Sequence, residues 1–353
     1  MKKTLIALAA VAATGAAFAQ SSVTLYGLID MSIANVKQGG QSLTSMANEG
    51  QASNRLGFRG VEDLGGGMSA TFVLEGGLSP DAGTPGGLNF LRQSTLGLRG
   101  GFGEVRIGRD YTPTFWNHSV YTAFGTNGLG NSVQTLGATS GANALLGSGT
   151  STAVRADNSI SYFTPNISGF QGQLMVGLKE STSNNTANEY TGVRLTYNKG
   201  PLSASLATAS EGSAVNQTEN YKRTNLGATY DFGVAKVFFF HVRGEFIDRK
   251  QKQTAVGVTA PVGPGTAKFS YLKASYNAAA TAAGLGLDDA THVTLGYDYP
   301  LSKRTVVYGV WSRVSNDGVG AFTVAYGNGP STAAGVTPGG NSSGYAIGIR
   351  HSF

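Results

Sequence analysis

The sequence alternates apolar and polar side chains with a period of two along most of its 353 residues. The segment 291–299, THVTLGYDY, places apolar side chains on one parity and polar or small ones on the other. In 54–60, NRLGFRG, Leu56 and Phe58 share one parity, whereas Arg55 and Arg59 share the other. Because successive side chains of a strand point to opposite faces, this period predicts β-strands with one apolar and one polar face.

The connections between the alternating segments fall into two classes. Seven are short and have the composition of hairpin turns: 62–67, 100–103, 164–169, 198–201, 231–233, 261–265 and 299–303. Eight are longer and polar: 37–51, 79–90, 111–154, 181–188, 212–219, 248–253, 278–288 and 317–340. This interleaving predicts an all-β fold, a sixteen-stranded antiparallel transmembrane β-barrel with short turns at one end and long loops at the other.

A soluble β-sandwich would also alternate, but the even number of strands and the one-sided loop lengths favour the barrel. Aromatic side chains near strand ends, among them Tyr297, Tyr299, Tyr345 and Phe353, suit a girdle at the membrane interface. A closed sheet leaves no backbone group unpaired in lipid, and sixteen strands enclose a lumen wide enough for water. We therefore expect the arginines of NRLGFRG to face a wet lumen.

The first residues have the pattern of a cleaved secretory signal. Segment 1–19 contains two lysines and an apolar run, and ends in AFA before Gln20. We expect a mature chain of 20–353, in which the loss of Lys2 and Lys3 lowers the formal charge from +6 to +4. The chain has no cysteine, so disulfide bonds do not hold the fold.

The longest connection, 111–154, contains no Asp, Glu, Lys or Arg. A solvated loop of this length normally carries charge, so we expect it to fold into the barrel and narrow the lumen, with a plain surface loop as the alternative. Because this loop lacks carboxylates, basic side chains facing it predict a positive constriction that favours anions. The lumen-facing arginines on nearby strands are Arg55, Arg59, Arg99, Arg106 and Arg155. For each, the alternative is a wall residue paired with a nearby acid such as Asp110 or Asp157.

Several segments resemble the trimeric general porins of β-proteobacterial outer membranes. They are SSVTLYGLID, SNRLGFRGVEDLGGG, LRQSTLGLRGGFGEVRIGRDYTP, RADNSISYFTPNISGFQ, NKGPLSASL, YPLSKRTVVYG and the terminal GIRHSF. The resemblance spans 20–353 and is strongest to the anion-selective comamonad-type branch. It implies a homotrimer in the outer membrane, an inward-folded loop three (111–154), and selectivity arginines at Arg55, Arg92 and Arg155.

The same resemblance implies partners. Outer-membrane lipid and lipopolysaccharide would surround the barrel, small anions would pass through it, and the barrel assembly machinery would recognise the terminal Phe353. Simple anchoring of Phe353 in the interface is the alternative. Arg92 conflicts with strict alternation, since it would share the lipid face with Leu96 and Leu98, where a charge is costly. A bulge or the end of the connection 79–90 would turn it inward.

The residue inventory argues against an enzyme. The histidines are His118, His241, His292 and His351, and zinc-ligand spacing, a complete G-x-G-x-x-G and a phosphate loop are all absent. The arginines are spread along strands without an aromatic stacking platform, which argues against nucleic acid. We therefore expect a channel for passive diffusion of small hydrophilic solutes and ions, without cofactor or metal. The alternatives are a non-conducting structural or adhesive barrel and, less favoured, an outer-membrane hydrolase.

Overall fold

The computed structural model describes residues 22–84, 87–131, 145–179, 188–216, 218–324 and 336–353. Over these residues the chain forms one antiparallel sheet. Its strands are β1 (Ser22–Gln38), β2 (Gln41–Asn48), β3 (Arg55–Gly65), β4 (Met68–Gly77), β5 (Gln93–Gly100), β6 (Gly103–Tyr111), β7 (Arg155–Phe163), β8 (Phe170–Gly177), β9 (Tyr190–Lys199), β10 (Leu202–Glu211), β11 (Tyr221–Asp231), β12 (Lys236–Phe246), β13 (Arg249–Val262), β14 (Gly265–Tyr276), β15 (Ala290–Pro300), β16 (Thr305–Asn316) and β17 (Asn341–Ser352). The predicted signal segment 1–19 lies outside the described residues.

The sheet closes on itself, because β1 pairs with β17 on one edge and with β2 and β3 on the other. The upper half of β1 pairs with β2 and its lower half with β3, so these two segments form one barrel strand interrupted at 49–54. The seventeen segments therefore occupy sixteen strand positions, and the predicted sixteen-stranded barrel is confirmed.

Two of the predicted long connections are largely strand. Only 39–40 separate β1 from β2, and only 247–248 separate β12 from β13, so most of 37–51 and 248–253 is paired. Both segments are largely polar on each parity, with Leu43 and Met46 as the large apolar exceptions, and the side chains of Asn35, Ser42 and Thr44 hydrogen-bond across the first hairpin. The period of two marks a strand only where one face is apolar, so these polar strand ends resemble loops in the sequence.

The side-chain alternation separates an outer from an inner face. On β15 the side chain of Leu295 is 49% exposed, whereas those of His292 and Thr294 are buried. On β17, Ile347 is 65% exposed. The apolar parity therefore faces outward around the barrel, and the polar parity faces the interior, as the sequence predicts.

Helices are few and short. They are α1 (Pro113–Val120), α2 (Ala278–Ala282) and a 3-10 turn (Leu145–Gly147). Pro113 occupies the first turn of α1, where the missing N–H costs nothing. Asn277 caps α2, since its side-chain oxygen accepts from the Ala280 N–H at 3.2 Å. In the described part of the chain, no helix has both the length and the apolar character needed to cross a membrane.

The described parts of loop three, 111–131 and 145–154, lie against the inner face of the barrel. Helix α1 contacts β9, β10 and β11, and Asn117 Nδ2 donates to Asn225 Oδ1 at 3.0 Å. Beyond the helix the loop follows the wall from strand to strand, and glycines on the inner parity make room for its side chains. The contacts are Tyr121 on Gly227, Ala123 on Gly257, Phe124 on Gly296 and Leu129 on Gly344.

Substitution of Gly227 tests this packing. A Cβ on Gly227 would lie 2.3 Å from the ring of the buried Tyr121. We expect Gly227→Ala to lower the free energy of unfolding by about 1–3 kcal/mol, because overpacking forces neighbouring groups apart. Denaturant titration of the protein folded in lipid vesicles measures this change. Gly309→Ala is the matched control, since no atom lies within 4 Å of its Cβ position. Equal stability of the two variants would contradict the described path of the loop.

Candidate selectivity site in the lumen

One buried carboxylate connects two of the predicted arginines. Glu75 lies on the inner parity of β4, opposite Gly57 and Gln93 of the neighbouring strands. Arg92 Nε donates to Glu75 Oε1 at 2.9 Å, and Arg55 Nε lies 3.8 Å from Glu75 Oε2. The hydroxyl of Tyr26 donates to the same carboxylate at 3.0 Å, so Glu75 is held from three sides.

The hydroxyl of Tyr111 connects Arg92 with the third predicted arginine, Arg155. Tyr111 ends β6, and its Oη accepts from Arg92 Nη2 at 2.8 Å and from Arg155 Nη2 at 2.9 Å. The guanidinium of Arg155 also lies over the Tyr111 ring, 4.5 Å from the centroid, and Arg155 Nε donates to the Arg92 carbonyl at 2.7 Å. The ring of Phe115 stacks on the ring of Tyr111 with a centroid distance of 5.5 Å, so a loop-three side chain packs against the cluster.

The three predicted selectivity arginines line one cavity of about 730 Å³. Its loop-three wall is uncharged and includes Phe115, Trp116, Ser119, Thr126 and Asn127. Glu49 and Glu75 line it as well, so three guanidiniums face two carboxylates. Among the described residues, Arg155 has no carboxylate within ion-pair distance, and its guanidinium donates instead to the neutral Tyr111 hydroxyl. Among the side chains that line the cavity, the formal charge balance is therefore positive by one.

Arg92 points inward even though alternation places it outward. Strand β4 ends at Gly77 and β5 begins at Gln93, so Arg92 belongs to the end of the connection between them. The Arg92 N–H donates to the Glu75 carbonyl at 3.0 Å, which fixes the backbone beside β4 without continuing the sheet alternation. The structure therefore agrees with the expectation that the end of the connection 79–90 turns Arg92 inward.

The other three arginines lie lower on the same inner wall. Arg59 is exposed, and its guanidinium lies 5.2 Å from the centroid of the Tyr26 ring. Arg99 donates to Glu104 at 3.0 Å. Arg106 donates to Glu104 at 3.1 Å and to Asp110 at 2.7 Å. For Arg106 the structure therefore shows the alternative, a wall residue paired with a nearby acid. Asp157 binds a different arginine, Arg109.

Loop three contributes no charge to this lumen at neutral pH. Its one titratable imidazole, His118, is buried and stacks on Phe240 with a centroid distance of 4.9 Å. Burial, followed by the positive charge of Arg223, lowers the pKa of His118 to about 3. The imidazole therefore stays neutral, and the arginine cluster faces a wall without fixed charge.

Three members of the site were absent from the sequence-based prediction. Glu49, Glu75 and Tyr111 face the arginines because strand register and the break at 49–54 bring them there. The alternation does place Glu75 on the inner parity of its strand, which is the one signal available for it. No comparable signal exists for Glu49, which lies in the break with a φ of 63°.

Phe353 completes the closure of the barrel. Its N–H donates to the Gly27 carbonyl and its carbonyl accepts from the Gly27 N–H, both at 3.1 Å. The ring covers the position where Gly27 would carry a side chain, and it is 42% exposed. The aromatic terminus thus lies on the outer face at the short-turn end of the barrel.

The described residues contain no cluster of three or more metal-ligating side chains.

Comparison with known proteins agrees with this architecture. The Gram-negative porin family profile matches residues 4–319. The outer membrane porin protein 32 of Delftia acidovorans is 40% identical over the whole of both chains, and an outer membrane porin of Bordetella pertussis is 31% identical over the whole of both.

Solved structures show the same fold. An anion-selective porin from Comamonas acidovorans is 36% identical and matches with a TM-score of 0.82, covering 95% of this chain and 100% of that one. OmpT of Vibrio cholerae in its trimer form shares the fold at 16% identity, with a TM-score of 0.61 over 94% of this chain and 99% of that one. These matches are to channels and not to enzymes. The chain belongs to the Gram-negative porin family and is a β-barrel channel of the outer membrane.

Proposed function

We propose that this porin is an anion-preferring diffusion channel whose selectivity arises at Arg55, Arg92 and Arg155. The observation that carries the proposal is that these three guanidiniums line one cavity opposite an uncharged stretch of loop three. Fixed charges act strongly in a constriction with low-dielectric walls, because little water is present to screen them. The anion selectivity named for the Comamonas acidovorans porin supports the same assignment.

The bonding pattern assigns different parts to the three arginines. Arg92 is more enclosed than Arg55, with a side chain 14% exposed, and it donates both to Glu75 and to Tyr111. Arg55 is 31% exposed and only loosely paired, so its remaining N–H groups are free to meet a permeating anion. Arg155 supplies a charge that no described carboxylate neutralises. Arg92 therefore acts as the fixed centre that positions the other two.

We further propose that the barrel functions as a homotrimer in contact with outer-membrane lipid and lipopolysaccharide. The trimer form of Vibrio cholerae OmpT supports an assembly of this kind. The apolar outer wall on β1 and β17, which includes Ile33, Tyr345 and Ile347, offers an extended surface for subunit or lipid contact. Loop three, 111–154, serves in this proposal as the constriction loop. We also propose that residues 1–19 are a signal segment that is cleaved from the mature protein.

Removal of two arginines tests the selectivity site. In planar bilayers under a salt gradient, the reversal potential of the wild-type protein should indicate a preference for chloride over potassium. Arg55→Ala/Arg155→Ala should shift it toward cations, because the cavity then carries one guanidinium against two carboxylates. The shift should shrink at high salt, since the Debye length falls from ~10 Å at 0.1 M to ~3 Å at 1 M.

Arg304→Ala/Arg313→Ala removes the same charge outside the lumen and serves as the control. An unchanged reversal potential in the Arg55 and Arg155 variant would remove both residues from the selectivity site. The same recordings test the assembly, since a trimer should insert with conductance steps in groups of three.

Removal of the bridging carboxylate should have the opposite effect. Glu75→Gln keeps the shape of the side chain but leaves Arg55 and Arg92 uncompensated, so the preference for anions should increase. The reversal potential in the same salt gradient measures the change. Asp63→Asn, near the short-turn end of β3, is the matched control, and a change of equal size there would mean that the effect is not local to the cavity.

We propose that Phe353 is recognised during assembly of the barrel. Deletion of Phe353 should then cause accumulation and degradation in the periplasm, whereas any protein that does insert should remain resistant to heat on gels. Cell fractionation followed by gels of heated and unheated samples distinguishes these fates. Normal amounts of an easily unfolded protein in the outer membrane would show instead that Phe353 anchors the closed barrel through Gly27.

A further inference from the structure

Helix α1 of loop three is inverted relative to an ordinary amphipathic helix. Its polar side chains face the barrel wall, and Thr114, Asn117 and His118 are all buried. Its large rings, Phe115 and Trp116, are only half-buried and line the cavity that contains the selectivity arginines. A helix in contact with water normally buries its apolar side chains and exposes its polar ones. The inversion therefore places aromatic surface in the lumen, where the channel carries its solutes.

Hydrogen bonds to the wall hold the polar face of the helix in place. Asn117 Oδ1 accepts from Arg194 Nε at 2.6 Å, and Asn117 Nδ2 donates to Asn225 Oδ1 at 3.0 Å. The Thr114 hydroxyl lies 3.2 Å from the hydroxyl of Tyr190. Because these bonds fix the rotation of the helix about its axis, the two rings on its other face are held towards the lumen.

The two rings continue an aromatic stack that begins at an arginine. The guanidinium of Arg155 lies 4.5 Å from the centroid of the Tyr111 ring, which stacks on Phe115 with an interplanar angle of 12°. The Trp116 ring lies 5.2 Å from the Tyr111 ring at an angle of 58°. One cation and three rings thus adjoin in a single wall. This wall suits a flat aromatic ring, because aromatic pairs gain from both stacked and tilted contacts.

The cations beside this aromatic wall still have hydrogen-bond donors to offer. Arg155 uses Nε and Nη2 for the Arg92 carbonyl and the Tyr111 hydroxyl, and no described residue accepts from its Nη1. Arg55 is 31% exposed, and its Nε lies 3.8 Å from Glu75. Guanidinium groups bind carboxylates through short charge-assisted hydrogen bonds. Since the lining side chains carry one net positive charge, the cavity matches one carboxylate better than it matches a dianion.

We propose that this cavity is a subsite for aromatic monocarboxylates on their way through the channel. The carboxylate would bind at Arg55 and Arg155, and the ring would pack on Phe115 and Trp116. The volume of about 730 Å³ and the combination of aromatic walls with a few charged groups are typical of a site for a small organic molecule. The inference rests on the proposed function, since a ring contact matters for transport only if anions enter the cavity.

Other small anions use less of this wall. Chloride and phosphate have no apolar surface to place on the rings, so they leave Phe115 and Trp116 in contact with water. A sugar acid such as gluconate carries hydroxyl groups that the rings cannot satisfy. An aromatic carboxylate matches the cations and the rings together. The preference should be modest, because a channel must also release its solute.

Two monoanions of equal charge and similar size test the proposal. Benzoate and cyclohexanecarboxylate are each titrated into a chloride solution bathing the channel in a planar bilayer, and the fall in chloride current gives an apparent dissociation constant for each. The wild-type channel should bind benzoate about fivefold more tightly, since an aromatic pair contributes about two- to tenfold. Phe115→Leu/Trp116→Leu should reduce this ratio to about one, because both ring contacts are lost. The ratio is taken within each variant, so any change in the field of the arginines cancels.

An aromatic ring elsewhere in the lumen provides the matched control. Phe238 of β12 is also half-buried on the inner parity of the barrel, opposite Gly257, but it does not line the cavity. Phe238→Leu should therefore keep the wild-type preference for benzoate. If the double variant does not fold, Trp116→Leu alone should lower the preference by about twofold or more.

The outcomes separate this subsite from the proposed function. Equal binding of benzoate and cyclohexanecarboxylate to the wild type would overturn the subsite, and so would a preference for benzoate that persists in the double variant. Gluconate that binds as tightly as benzoate would overturn it as well. In all three cases a reversal potential that still indicates chloride over potassium would leave the proposed function standing. A wild-type channel that prefers potassium would overturn the proposed function and the subsite together.

Discussion

Lipid offers no hydrogen-bond partner to a backbone amide, so every strand in the membrane must be paired on both edges. The first and last strands meet this requirement together. β1 pairs with β17 over ten residue pairs from Leu28↔Ser352 to Lys37↔Ser343, and the reciprocal bonds of Gly27 with Phe353 extend the ladder to the end of the chain. The inner surface, the loop-three path and the arginine cluster all depend on this closure, because each is defined relative to a continuous wall.

Closure also determines what the lumen can contain. Sixteen strands enclose more space than their own inward side chains fill, so the lumen has room for a long loop. The described parts of loop three occupy this space without charge, and the wall provides small residues such as Gly227 and Gly296 where its aromatic side chains rest. The interruption of the barrel strand at 49–54 belongs to the same arrangement. Asp30 accepts the Gln51 and Ala52 N–H groups at 2.7 and 2.8 Å, and Gly128 of loop three approaches the Gly50 carbonyl too closely for a side chain.

Most of the architecture was predictable because lipid on one side and water on the other impose a strict period of two. The prediction failed where that condition does not hold. Arg92 lies just before β5, where the backbone has left the sheet, so alternation counted back from Leu96 does not apply to it, and only the family resemblance indicated an inward position. Segment 248–253 is paired strand but is polar on both parities, so it resembled a loop. Glu49 and Tyr111 joined the site through register and loop packing, which a single sequence does not specify.

The same physical quantity, the access of water to a charge, separates the two basic regions of this protein. The lumen arginines are held by Glu75 and Tyr111 in a narrow, partly enclosed space, so their field is weakly screened and their geometry is fixed. Cations on the outer wall, such as Arg243 and Lys252, are exposed to solvent ions, so their field is strongly screened. The chain thus presents positive charge on both faces of one sheet, and that charge acts more strongly in the lumen than on the outer wall.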